Sequence, residues 1–173
     1  MGNEMRGQVT TAGAARFCPA VFSLYLKLLA EKGAGMGLIV WKRSYETGIN
    51  KIDMQHRQLV GMINELFDGM KENRGQRALE HVLDQLLGYA QKHFTDEERI
   101  MREHHYPELE HHALEHLKLS SQVLELKDRH RNGERISTPE VFSFLQHWLQ
   151  DHILREDKLF VEEIKKRTML LKG

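Results

Sequence analysis

Hydrophobic residues recur along most of this 173-residue chain with the spacing of helices that have one buried face. His56, Leu59, Val60, Ile63, Leu66, Phe67 and Met70 follow i, i+3, i+4, i+7 and predict a first helix from about Met54. The polar stretch Lys71 to Gln76, with Gly75, predicts a turn. A second helix is expected from about Gln76 to His104, with Leu79, Val82, Leu83, Leu86, Ala90, His93, Glu97 and Ile100 on one stripe. Tyr106-Pro107 ends it, because the residue before a proline is pushed out of helical geometry. Pro107 then suits the first turn of a third helix, which carries Leu109, His112, His116, Leu119, Val123 and Leu126 and fades at Asn132-Gly133. Ser137-Thr138-Pro139-Glu140 reads as a capping box that opens a fourth. Its stripe is Val141, Leu145, Trp148 and His152, and the pattern runs to about Leu171.

No segment shows sustained strand alternation. Four amphipathic segments joined by short loops predict an all-α fold, an antiparallel up-down-up-down four-helix bundle. Residues 37–53 lack clear periodicity and are expected to pack across one end through Trp41 and Tyr45. Residues 1–36 are rich in Gly, Ala and Thr. They are expected to be an N-terminal extension, flexible or non-native, ahead of a bundle over residues 37–173.

Composition removes several classes of function. Lys+Arg and Asp+Glu are equal at 25 each, and no concentrated basic face is evident, so nucleic acid is not an expected partner. The most apolar stretch, Phe17 to Ala30, is too short to span a bilayer and contains Lys27 and Pro19. As a leader peptide it is weak, so a cytoplasmic location is expected. A single cysteine, Cys18, excludes an internal disulfide framework and a cysteine-built metal site.

Histidine changes the picture, with 11 residues. Each inward stripe is interrupted by a residue that should not be buried: His56 on the first helix, His93 and Glu97 on the second, His112 and His116 on the third, His152 on the fourth. A lone core histidine is usually a hydrogen-bonded structural residue, and an i, i+4 pair arises by chance in so histidine-rich a chain. Concurrence on all four stripes favours a metal, because unpaired buried carboxylates and imidazoles cost several kcal/mol (roughly) while an ion binds both. Five imidazoles with one or two carboxylates and no thiolate exceed a four-coordinate zinc site and suit two ions of iron or manganese. His81, His104, His105, His111, His130 and His147 lie off the stripes or at helix ends and read as surface residues.

Four spaced groups of residues stand out: Trp41, Tyr45, Gly48-Ile49, Ile52-Asp53 and Gln55-His56; His93-Phe94-Thr95-Asp96-Glu97-Glu98 with Met101; Tyr106-Pro107 followed by His112 and His116; and Trp148-Leu149, His152-Ile153 and Asp157. Together they resemble the bacterial hemerythrin domain. The resemblance covers roughly residues 37–160. It implies two iron ions, one held by His112, His116 and His152 and the other by His56 and His93. Glu97, Asp157 and an oxo or hydroxo group would bridge them. It further implies reversible dioxygen binding at the less saturated iron, in a dry shell for which Leu59, Phe94, Trp148, Ile153 and Leu154 are candidates. The expected partners are dioxygen and an unidentified oxygen-using protein; no membrane is expected.

One spacing is awkward. His152 and Asp157 are five apart, about 140° around an ideal helix, whereas Glu156 would share the histidine's face. Asp157 as a ligand therefore requires a local distortion or π-bulge near Leu154 to Asp157.

Three other functions compete. A di-iron oxidase, or a reductase of peroxide or nitric oxide, is the first, but the Glu-x-x-His pair of ferritin-like oxidases has only Glu108 and His111 to match it. The sequence His112-Ala113-Leu114-Glu115-His116 fits a zinc-peptidase motif, without a third ligand or a sheet-lined cleft. A partner-binding module stapled by metal is the third. The expectation is an oxygen-binding protein rather than an enzyme.

Overall fold

The computed structural model describes residues 38–170, and they are helical, with no strand among them. The N-terminal extension and the expected helix end at Leu171 lie outside the described residues. Helix α1 spans Asn50–Lys71, α2 Gly75–Glu103, α3 Leu109–Arg131 and α4 Thr138–His147. A π-helical segment, Trp148–Asp157, follows α4 directly and runs into α5, Lys158–Leu170. These last three form the fourth rod of an antiparallel four-helix bundle. Helix α1 packs against α2 and α4, and α3 against α2.

Helix α1 begins a turn earlier than the apolar period indicates. Asn50, Lys51 and Asp53 hide that turn from a hydrophobicity pattern, and its start is set by polar groups instead. The Asp53 carboxylate accepts from Thr47 N–H (2.7 Å), the Thr47 hydroxyl (2.8 Å) and Gly48 N–H (3.1 Å). Gly48 has φ +83°, a backbone region in which a side chain is strained. Helix α3 starts two residues after Pro107, with Glu108 at its cap.

The expected capping box at α4 is half made. The Ser137 hydroxyl accepts from Glu140 N–H (3.3 Å), but the Glu140 carboxylate turns away to Arg129 (2.6 Å). An ion pair with a neighbouring helix has displaced the reciprocal bond.

Trp41 and Tyr45 do not close one end of the bundle. Trp41 meets Tyr45 edge to face (5.6 Å), and the Arg57 guanidinium of α1 lies 4.8 Å over its ring. Ile39 exchanges backbone bonds with the Asn64 side chain, both at 2.8 Å, and Lys158 donates to Ser44 O (2.6 Å). These contacts lay the leading segment along α1 and α5. Its indole is matched by a guanidinium on the side of a helix rather than by the apolar residues at a bundle end.

The interior has three layers. One end is apolar, with Leu66, Leu79, Leu83, Phe142 and Leu145 fully buried. The other end is a second apolar cluster of Ile52, Ile100, Met101, Phe160, Val161 and Ile164. Between them lies a buried polar layer.

Candidate metal centre

Seven side chains from all four rods converge on that middle layer. His56 comes from α1, His93 and Glu97 from α2, His112 and His116 from α3, and His152 and Asp157 from the π-helical segment. All seven are buried, and His56, His93, Glu97 and Asp157 are 0% exposed. Their ligating atoms form two overlapping groups, each with atoms within 4.8 Å of one another: Glu97, His112, His116, His152 and Asp157; and His56, His93, Glu97 and Asp157.

Both acids belong to both groups. Asp157 Oδ2 lies 3.1 Å from His56 Nε2 and 3.8 Å from His93 Nε2. Its other oxygen, Oδ1, lies 3.2 Å from His112 Nε2 and 3.3 Å from His152 Nε2. Glu97 Oε2 lies 3.2 Å from His116 Nε2 and 3.7 Å from His93 Nε2, and Oε1 is 3.9 Å from His56 Nε2.

The fourth rod delivers two of these side chains only because its helix is widened. A π turn bonds i to i+5, which brings residues five apart towards alignment. His152 and Asp157 therefore point inward together, while Glu156 stays partly exposed and pairs with Arg155 (2.8 Å). The distortion begins at Trp148, earlier than the Leu154 expected from the spacing.

Most of these polar atoms have no partner in the fold. The Nε2 atoms of His93, His112, His116 and His152, both Glu97 oxygens and Asp157 Oδ1 are buried and make no hydrogen bond. Such a layer is unfavourable as it stands, because each desolvated group lacks compensation. The outer nitrogens, by contrast, are held where a partner exists. His116 Nδ1 is 3.0 Å from Glu98 Oε1, and His93 Nδ1 is 3.3 Å from Gln55 Oε1. Gln55 in turn donates to Asp96 (2.8 Å), which Lys51 also meets (2.5 Å). An imidazole anchored through one nitrogen and bare at the other is the arrangement of a metal ligand, in which the outer bond fixes tautomer and ring orientation. Five imidazoles and two acids, with no thiolate, fit iron.

Charge follows burial. Desolvation pushes the pKa of His93 down to about 3 and of His116 to about 2, and lowers that of His152 as well. These three stay neutral and available to a cation. Burial also works against charge on His112, but the adjacent Asp157 and Glu97 carboxylates outweigh it and raise the pKa to about 9. Burial, then repulsion from Asp157, holds Glu97 well above the usual carboxylate range. Burial acts the same way on Asp157, yet the surrounding imidazoles, His152 first, hold it well below.

Around the cluster lie Leu59, Phe94, Trp148 and Ile153, all buried, and Leu154, partly exposed. Phe94 stacks on His116 (4.0 Å) and lies near Trp148 (5.3 Å). A surface cleft of about 610 Å³ has Trp148 and His152 on its wall beside His111, Glu115, His147 and Asp151. Glu115 pairs with Lys118 (2.5 Å), away from the two groups, which removes the peptidase reading. Of the six histidines read as surface residues, His130 is half-buried, the other five are exposed, and none joins the cluster.

Sequence reasoning did not single out Gln55, Asp96, Glu98 or Tyr89 as site residues. The first three flank ligands directly, and polar residues beside a buried histidine are the signal that finds them. Tyr89 was visible as the aromatic one turn before His93.

Comparison with known proteins agrees with this geometry. Residues 47–164 match the family described as the hemerythrin HHE cation binding domain. The bacteriohemerythrin of Stenotrophomonas maltophilia (strain R551-3) is 34% identical over 131 residues, covering 75% of this chain and 84% of that protein. The bacteriohemerythrin of Methylococcus capsulatus (strain Bath) is 31% identical over 127 residues, covering 72% and 95%. A crystal structure of a leucine-to-tyrosine mutant of hemerythrin superposes with a TM-score of 0.61 at 26% identity, covering 75% of this chain and 98% of that one. Among the described residues, no helix is long and apolar enough to cross a membrane. A four-helix bundle whose bare-nitrogen histidine layer could hold metal ions, matched along most of its length by these proteins, places the chain in the hemerythrin family.

Proposed function

We propose that this protein binds dioxygen reversibly at a pair of non-haem iron ions. His112, His116 and His152 would hold one ion, and His56 and His93 the other, with Glu97 and Asp157 shared between them. The observation that carries the reading is the division of Asp157: one oxygen faces the two-histidine group and the other the three-histidine group. An acid shared between two unequal sets of imidazoles suits two ions, one with fewer protein ligands than the other. A ferrous pair, when bound, supplies two electrons to dioxygen and takes them back on release.

The residues of the chain do the rest. Gln55 and Glu98 orient His93 and His116 through their outer nitrogens, so that Nε2 faces inward. Leu59, Phe94, Trp148 and Ile153 surround the layer with apolar surface and keep out the water and protons that would make oxygen binding irreversible. Leu154 extends that surface towards solvent.

The test is metal analysis with visible spectroscopy. The expected result is about two irons per chain, as two ligand groups imply, with an absorption band that appears under oxygen and fades on its removal. His56→Ala should abolish the band while the fold persists. Catalytic turnover of oxygen during aerobic cycling, or a band unchanged in His56→Ala, would overturn the reading.

A further inference from the structure

Tyr89 sits one turn before His93 on α2, and its ring stacks on the His93 imidazole at 5.5 Å and 22°. It is nine-tenths buried or more, and its ring also meets that of Trp148 at 5.7 Å. Its hydroxyl is enclosed and makes no hydrogen bond, to Glu97, to Asp157 or to any other group of the described fold. A buried phenol normally finds a partner, because leaving one unpaired is costly.

Topology fixes the level of the bundle at which residue 89 lies. Because α1 and α2 are antiparallel, Leu59, three residues after His56, and Tyr89, four before His93, fall in one layer. Trp148, four residues before His152, falls in the same layer. That layer caps the polar cluster on the side of Leu83 and Leu145, opposite to Glu97, which follows His93 by one turn. Tyr89 is the residue of this cap that stacks on a member of the two-histidine group, the one with fewer protein ligands.

We propose that the Tyr89 hydroxyl is a hydrogen-bond donor to a small anionic ligand bound on the two-histidine side, and so a positioning residue for that ligand. The inference rests on the di-iron reading above and adds a specificity to it. Leu59 and Phe94 alone would favour a neutral, apolar guest, and the Trp148 indole N–H is a second unpaired donor in that layer. A donor embedded in it favours a guest that carries negative charge when bound, because a hydrogen bond to a charged acceptor in a dry site is strong.

The experiment compares Tyr89→Phe with the unaltered protein, using azide as the probe. Iron content should be the same in both. Azide affinity of the ferric protein, followed by its visible band, should fall at least about tenfold in the variant. A second readout needs no metal: the melting temperature of metal-free Tyr89→Phe should equal or exceed that of the unaltered protein, because the hydroxyl lost had no partner. Equal azide affinity overturns the proposal alone, and so does a lower melting temperature, which would mean that the hydroxyl is bonded within the fold. An unaltered protein that takes up no iron overturns this proposal and the di-iron reading together.

Discussion

The cluster of Ile52, Met101 and Phe160 and the layer of His56, Glu97 and Asp157 are buried to the same degree, a turn or two apart in the same bundle. They could hardly differ more in what burial means. The apolar cluster is its own explanation, since removing its surface from water is favourable whatever else is present. The polar layer is not. Apart from the contact between His56 and Asp157, its bare nitrogens and carboxylate oxygens lose water and make no hydrogen bond in return. A core built from chemistry that the fold leaves unsatisfied is a core built around something the fold does not supply.

That contrast can be tested by removing one layer's support at a time. The largest effect should come from the metal. Stripping iron with a chelator should destabilise the protein by about 4 kcal/mol relative to protein held at a thousandfold excess over the dissociation constant. Scanning calorimetry would read this as a drop of about 8–16 °C. An unchanged melting temperature would make the polar layer self-sufficient.

Next comes the apolar end. Leu83→Ala should cost about 3 kcal/mol in urea unfolding while leaving the iron content unaltered, because a cavity there removes contacts but no ligand. Loss of iron in that variant would mean that the layers are not separable.

Per pH unit, a smaller effect is expected from titration. His112 has its pKa raised to about 9 in the metal-free protein, so it carries a proton near neutrality that a metal must displace, and the upward shift of Glu97 acts in the same direction. His93 and His116 are already neutral and do not compete. Ferrous affinity, measured anaerobically against a competing chelator, should therefore climb from pH 6 to about 9, by about tenfold per unit for the proton His112 releases, and then level off. A decline with rising pH would show that the assignment of protons is wrong.

The smallest effect should follow Glu98→Gln, which keeps the length of the side chain but weakens the outer bond to His116. About a tenfold loss of metal affinity is expected. No change would mean that His116 is oriented by packing against Phe94 alone.

The four rods and the histidine layer were legible in the sequence because both are periodic: an interruption stands out only where a pattern exists to be interrupted. The start of α1 was not legible, since Asp53 and Thr47 set it with hydrogen bonds across a turn, and such bonds leave no period. The half-made box at Ser137 failed for a related reason. Glu140 sits at the spacing the motif demands, yet the competitor that took its carboxylate, Arg129, is on another helix. Gln55 and Tyr89 carry a weaker signal, one beside His56 and the other a turn before His93, because polar and aromatic residues in a helix have many uses; their contacts with His93 separate this use from the others.

The widened stretch in the fourth rod has a reach beyond the two side chains it aligns. Val141, Leu145, Trp148 and His152 follow the ordinary helical count, which would next predict position 156; the inward positions instead resume at Asp157, Phe160, Val161 and Ile164. The rod has slipped by one amino acid, and every inward position downstream inherits the slip. Excising a single residue between His152 and Asp157 would thus do two things at once: swing the acid out of the middle of the bundle, and turn Phe160 and its companions away from Ile52 and Met101. One supernumerary residue keeps the acid and the far end of the molecule in phase.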